Sequence, residues 1–365
     1  MAEIRFFPQN VVWETTFACN MRCLHCGTSA GKVRPDELTT AEALALIDEL
    51  AGLGCELITL SGGEPLMRKD WRELAARIRE RGMKAYLVSN GYLIDEKIVA
   101  DFQRLGFTNV GISFDGTEKT HEYIRQSKGS FARAVNAMKL MDKAGMRFCA
   151  VSQISNMNLG ELDDIRQILI DAGCKEWRIQ MTTSTGRMQK DMVLTLENFP
   201  KLIEKLLQYK KENTIRIDVG ENIGYYGCDG LTLYDGMPYL GCYAGVRIAG
   251  IESNGNIKGC LSMPEQSVEG NIRDSSFTEI WNNPNGFAYN RKFTQDSATG
   301  ACHDCKYLPL CRGGCTTTSV SASGCRADNP YCIYQIEKAQ GIEAPPDTEM
   351  IAELLKRFET PVGKD

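Results

Sequence analysis

The sequence predicts an α/β fold with a parallel sheet, followed by a smaller cysteine-rich domain, and three observations carry that prediction. Up to residue 215, short apolar runs alternate with amphipathic stretches of helical period. Beyond residue 215, Gly, Tyr, Asn and Cys become dense and the apolar runs shorten. The chain has 365 residues, and a single core rarely grows past about 250–300.

The strand candidates are VVWETTFA (11–18), ELITLSGG (56–63), KAYLVSNG (84–91), NVGISFDG (109–116), RFCAVSQIS (147–155) and EWRIQMTT (176–183). Most are near-continuous apolar runs ending in Ser, Thr, Gly or Asn, as parallel strands buried on both faces should be. The first helical stretch is 39–54, with Leu44, Ile47, Leu50 and Leu53 at helical spacing, Thr39 or Thr40 as its cap, and Gly52 or Gly54 at its end. The others are 70–82, 95–106, 130–145, 162–173 and 197–212, with shorter helices at 334–341 and 348–358. Six βα units with right-handed crossovers make a parallel sheet, open or curled as a partial barrel. Functional residues then belong at the C-terminal ends of the strands.

Composition excludes several classes. No run of 18 apolar residues is present to cross a membrane. Forty-two Lys+Arg against forty-seven Asp+Glu leave a net charge of −5, with no basic field for nucleic acid. The N-terminus MAEIRFFPQN lacks the pattern of a secretory signal, so a cytoplasmic location is expected. There are fifteen cysteines, and in a reducing compartment the clustered ones read as metal ligands rather than disulfides.

Cys19, Cys23 and Cys26 form C-x3-C-x2-C directly after the first predicted strand. Three thiolates so close in one loop converge on one small centre, and a fourth position left open signals chemistry. A truncated zinc site fits the spacing as well. Ser61-Gly62-Gly63-Glu64-Pro65 ends the second predicted strand, Ser89-Asn90 the third and Ser113-Phe114-Asp115-Gly116 the fourth. At these residues the chain resembles the radical S-adenosylmethionine (SAM) enzymes. The resemblance implies that the three cysteines hold a 4Fe–4S cluster whose open iron chelates SAM. It implies that Gly62, Gly63, Glu64 and Pro65 receive the SAM amino group, and that Ser113 and Asp115 contact its ribose or carboxylate, with Ser89 and Asn90 on the same rim. Two glycines let backbone approach a ligand, and Glu64 can pair with an ammonium. Arg125 lies in HEYIRQSKGSF, resembling a segment of one subgroup in which an Arg reaches a carboxylate; a surface salt bridge is the alternative. The residue before the third cysteine, usually aromatic in the family, is His25 here.

A second group follows: Cys242, Gly255, Cys260, then Cys302-x2-Cys305-x5-Cys311-x3-Cys315, with Cys325 and Cys332 beyond. This resembles the SPASM domain found behind many radical SAM barrels, although C-x2-C pairs also bind zinc. The resemblance implies a partial (β/α)6 TIM-like barrel over 1–222, a bridging segment over 223–241, a SPASM domain over 242–340, and a C-terminal helix and tail over 341–365. Three 4Fe–4S clusters, one with an open site, need eleven thiolates, and twelve lie outside the lone barrel cysteines Cys55, Cys149 and Cys174. The family wiring gives Cys242, Cys260 and Cys315 to one auxiliary cluster, with Cys228 as fourth ligand. It gives Cys302, Cys305, Cys311 and Cys332 to the other, leaving Cys325 spare or exchanged with Cys332. If Cys228 does not reach, the first auxiliary cluster has an open site.

Reductive cleavage of SAM to a 5′-deoxyadenosyl radical, and hydrogen abstraction from an unactivated C–H bond, are the implied chemistry. Auxiliary clusters suit oxidation, because they can accept an electron from a substrate radical. The expected substrate is a peptide to be oxidised or crosslinked; a small metabolite, such as an aminosugar, tetrapyrrole or redox-cofactor precursor, is the alternative, and a noncatalytic iron–sulfur electron carrier the third. A flavodoxin or ferredoxin-type donor is expected to supply electrons. Only eighteen residues precede Cys19, so a separate leader-peptide-binding protein is expected for a peptide substrate. Leu261 stands where the related sulfatase-maturing enzymes carry a general-base Asp after the cysteine, which argues against formylglycine formation. Asp229, Asp235 and Glu265 are candidate acids for proton transfer, or ordinary loop charges.

Overall fold

Each helix of the first half stops where its sequence stops it, and this sets the chain back onto a growing parallel sheet. The computed structural model describes residues 6–342; the expected helix at 348–358 lies outside them. Seven parallel strands follow in order: β1 (Asn10–Thr16), β2 (Leu57–Gly62), β3 (Lys84–Ser89), β4 (Asn109–Ser113), β5 (Phe148–Ile154), β6 (Glu176–Met181) and β7 (Arg216–Val219). The intervening helices are α1 (Thr40–Gly52), α2 (Trp71–Glu80), α3 (Glu96–Leu105), α4 (Glu118–Arg125), α5 (Ser130–Lys143), α6 (Leu162–Asp171) and α7 (Phe199–Glu212). Thr39 caps α1 in a reciprocal pair with Glu42, Asp95 caps α3, and Gly106 in the left-handed region ends α3. The face α1 buries is Ala43, Leu46, Ile47 and Leu50; the expected Leu44 and Leu53 are only partly buried at its margin.

All six predicted strands are present, and β7 and α4 are additions. Both are short and charged (RIDV and EKTHEYIR), so neither shows the apolar period by which the others are read.

The expectation of burial on both faces fails for most strands. Burial alternates along β2, β3 and β6, with Ile58, Leu60, Ala85, Leu87, Trp177 and Ile179 packed under the helices. The opposite face, with Thr59, Tyr86, Gln153, Arg178 and Gln180, is only half buried. The physical reason is an open barrel. β7 does not close onto β1, so the inner face lines a cleft rather than a filled core.

The second half does not form a separate sheet. β8 (Ile248–Ile251) pairs in parallel with β1 through Asn10–Ile248 to Trp13–Ile251, and β9 (Asn256–Lys258) and β10 (Gly270–Asn271) continue antiparallel. The strand order is β10-β9-β8-β1-β2-β3-β4-β5-β6-β7. The cysteine-rich half therefore continues the sheet of the first half through β8. Glu14 of β1 ties the halves together by accepting from the Ser253 amide and hydroxyl and pairing with Arg34.

Candidate functional site

Cys19, Cys23 and Cys26 lie in the loop leaving β1, at the C-terminal rim of the sheet. The Cys19 amide bonds to the Gly31 carbonyl, which closes the loop at its base. Arg187, beyond β6, donates to the Cys23 and Ala30 carbonyls, and its amide donates to the Cys26 carbonyl. That clamp comes from 160 residues away, and no motif announced it. Burial pushes the Cys19 thiol up to about 11, and burial raises Cys23 against the lowering effect of Arg125. Binding iron at this loop must therefore release protons.

Gly62 and Gly63 follow on the next strand end. A methyl group at Gly62 would overlap the Thr16 carbonyl, and one at Gly63 the Ala18 carbonyl. Their first task is to let this turn pack against β1, with the Gly63 amide donating to Thr16 and the Glu64 amide to Ala18. Glu64 is fully buried and accepts from the Ser89 hydroxyl, the Asn90 amide and the Leu66 amide. Burial pushes its carboxyl up to about 7. The side chain braces β2 to β3, and Pro65 begins a short turn below it. Asn90 reaches the Asn20 side chain in the cysteine loop at 2.7 Å.

Ser113 closes β4, and two residues on Asp115 is wholly buried. Its carboxylate accepts from the Gln153 amide at 2.9 Å, lies 2.9 Å from His25 Nε2, and pairs with Arg125 at 2.5 Å. Arg125 is buried at the end of α4, which settles the surface salt-bridge alternative against it. It also lies 3.8 Å from the Cys23 sulfur, and its Nε–H is buried without a partner. Orphaned donors and three thiols around one spot fit an anionic iron–sulfur centre.

Seven of the other cysteines fall into two groups. Cys242, Cys260 and Cys315 line one cavity of about 190 Å³ that opens onto Gln153, Gln180 and Thr183 at the strand ends. The Cys311 thiol stands among those of Cys332, Cys302 and Cys305, and burial and their charges raise it well above the usual range. Gly313 and Gly314, both at positive φ, carry the chain between Cys311 and Cys315 so that neighbours in sequence serve different groups. A side chain at Gly314 would meet the Tyr225 ring, whose hydroxyl accepts from the Cys315 amide. Cys325 is exposed.

Cys228 lies apart from the first auxiliary group in this structure. It is exposed, its amide is held by Glu337, and it is absent from the cavity that Cys242, Cys260 and Cys315 share. The turn Gly227-Cys228 packs on Glu337, which draws it away from that cavity. Among the described residues, no three His, Cys, Asp or Glu side chains are close enough to hold a single metal ion. Asp235 is engaged by Lys210 at 2.5 Å. The carboxylate that does line the cavity is Glu221, which sequence reading missed.

The sequence profile of the radical SAM superfamily matches residues 13–172, and that of the SPASM iron–sulfur cluster-binding domain matches residues 242–306. The AdoMet-dependent heme synthase of Methanosarcina barkeri is 30% identical over 345 residues, covering 90% of this chain and 97% of that protein. This chain belongs to the radical SAM superfamily. It carries a SPASM domain, and Cys311, Cys315 and Cys332 lie beyond the residues that profile matches. The mycofactocin maturase MftC of Mycobacterium ulcerans is 29% identical over 93% of the chain and 89% of its own length. Among solved structures, Streptococcus suis SuiB bound to S-adenosylmethionine superposes with a TM-score of 0.69 at 17% identity, covering 89% of this chain and 76% of SuiB. The enzyme anSMEcpe with bound AdoMet gives 0.69 at 18% identity over 88% and 93%. These two share the fold of this radical SAM enzyme, including the partial barrel. Among the described residues, no helix is long and apolar enough to cross a membrane.

Proposed function

We propose that this radical SAM enzyme oxidatively modifies or crosslinks a peptide. The carrying observation is the cavity between the strand ends and Cys242, Cys260 and Cys315. Its polar lining is amides and hydroxyls (Gln153, Gln180, Asn222, Thr183, Ser262, Thr317), with Glu221 as the carboxylate and neither Lys nor Arg. Such a surface matches the amide donors and acceptors of a peptide.

In this reading Cys19, Cys23 and Cys26 hold the SAM-binding 4Fe–4S cluster. Cys302, Cys305, Cys311 and Cys332 hold one auxiliary cluster, and Cys242, Cys260 and Cys315 hold the other through three thiolates. When bound, the cluster and SAM supply a 5′-deoxyadenosyl radical that abstracts hydrogen from an unactivated C–H bond. The chain's own residues orient and shield. Gly62 and Gly63 keep the rim backbone open toward the SAM amino group, and the buried Glu64–Ser89–Asn90 brace holds that rim still. Ser113 stands on the same rim. The Gln153–Gln180 hydrogen bond of 2.7 Å stiffens the floor on which substrate rests. A flavodoxin or ferredoxin-type donor supplies electrons, and the protein works in the cytoplasm.

The heme synthase relatives, which match nearly end to end, favour a second reading in which the substrate is a tetrapyrrole. Its carboxylates would find no cation in the cavity lining. Reconstituted enzyme, SAM and dithionite are incubated with peptides encoded beside the gene, or with iron coproporphyrin III. Formation of 5′-deoxyadenosine together with peptide product lighter by two hydrogens is expected. Turnover of the porphyrin alone would overturn the peptide reading.

A further inference from the structure

Beside the cysteine loop, the Asp115–Arg125 ion pair is withdrawn from solvent, with Asp115 fully and Arg125 almost fully buried. Three elements converge on the Asp115 carboxylate: the Gln153 amide of β5, His25 of the cysteine loop, and Arg125 of α4. The Asp115 backbone is fixed too, because its own amide donates to His121 Nδ1 at 3.2 Å. His121 is buried between Phe114 and Phe131, and burial pushes its imidazole down to about 3. Swinging Asp115 toward a ribose would break all three of its contacts. The carboxylate that Arg125 reaches is the protein's own.

We infer that Arg125 is a positioning residue that acts through Cys23. Held from behind by Asp115, it keeps a fixed positive charge and an N–H donor on the Cys23 sulfur and so raises the reduction potential of the cluster assembled there.

The argument is electrostatic. A guanidinium stays charged at any working pH, and reduction adds negative charge to a cluster whose potential responds to net charge and to hydrogen bonds on its sulfurs. At a buried site that interaction is weakly screened. The charged and titratable groups facing Arg125 are Asp115, Cys23, Glu64, His25 and His121. Among the described residues, the polar side chains within bonding distance of the guanidinium are Asp115 and Cys23, so the pair presents its positive end to the sulfur. His25 then has a physical reason to replace the family's aromatic residue. It sits between Cys23 and Cys26, and its Nε2–H can reach Asp115, which a phenyl ring cannot do. One carboxylate thereby pins the loop at His25 and, through Arg125, at Cys23. The inference rests on membership of the radical SAM superfamily and is independent of the peptide reading.

The test is an EPR-monitored redox titration of anaerobically reconstituted enzyme without SAM, following the cluster signal that changes when SAM is added. For Arg125→Gln, the ratio of reduced to oxidised cluster at a fixed poise should fall at least tenfold, a shift of about 59 mV for one electron. Arg125→Lys should keep most of the wild-type potential. Asp115→Asn, which leaves the Arg charge unneutralised, should move the potential upward. SAM affinity is measured in parallel by equilibrium dialysis. An Arg125→Gln protein with unchanged potential and lost SAM affinity would overturn the inference, since the residue would then serve the SAM carboxylate. If Arg125→Gln fails to take up iron, the other two variants decide, by a nearly unchanged potential in Arg125→Lys and a raised one in Asp115→Asn. A fall or no change in Asp115→Asn overturns the inference.

Discussion

At Gly63 the backbone of one strand end meets the backbone of another, and a methyl group has nowhere to go because the Ala18 carbonyl is not a flexible side chain. Gly63→Ala is expected to cost about 1–3 kcal/mol by overpacking. It should also lose the SAM-responsive cluster, since Ala18 precedes Cys19 directly. Urea unfolding and the SAM-induced EPR change measure the two effects. The motif itself was readable in sequence, but its mechanical reason was not, because the obstruction is a carbonyl 45 residues earlier. Asp115 teaches the same lesson. Its type and position marked it as functional, while its three partners come from β5, α4 and the cysteine loop, which no local pattern joins.

Among the elements, α1 is the one whose cap does two jobs. Glu42 completes the box with Thr39 and also receives Arg273 from beyond β10 at 2.7 Å, so one side chain secures a helix start and ties it to the cysteine-rich half. The Arg273 and Thr39 contacts hold its carboxyl down at about 2. A depressed pKa stabilises the folded state above the unfolded value near 4.5, and the contribution is lost as pH falls through about 2. Glu42→Gln should therefore lower the melting temperature at pH 7. The gap to wild type should close as the pH is lowered from 4.5 toward 2, and a pH-independent gap would contradict the ionic origin. Thr39→Ala should cost about 1 kcal/mol at pH 7. The capping box was legible because both partners are local. β7 and α4 were not, since four or eight residues with several charges hold no hydrophobic period, and β8 (IAGI) is recognisable only by its pairing with β1.

At the scale of the whole molecule, thiol grouping decides how much iron the chain carries. Three clusters hold about twelve irons, and the grouping predicts which substitutions remove four of them. Cys315→Ser and Cys302→Ser should each lower the iron count by about four, whereas Cys228→Ser should leave it unchanged. Iron and sulfide analysis of the three variants tests this, and a loss with Cys228→Ser would place that thiol back in the first auxiliary group. The grouping of the SPASM cysteines came from the family resemblance, and sequence separation could not place Cys228, because it does not encode the hold of Glu337 on its amide. An electron-accepting role for the second auxiliary group makes a further demand. A soluble Cys302→Ala protein should continue to form 5′-deoxyadenosine while product falls, and strict one-to-one coupling would show that this cluster only staples the domain.

The shared sheet has a consequence for how the protein can be divided. β1 is flanked by β2 on one side and β8 on the other, so a barrel ended near residue 222 would keep its catalytic loop and lose half of the hydrogen-bonding partners of the strand that carries it. An unpaired edge of this kind recruits strands from other molecules. Such a fragment should self-associate before it can show chemistry. A graft of this cysteine-rich half onto another barrel must match the β1–β8 register, in which Asn10 faces Ile248 and Trp13 faces Ile251.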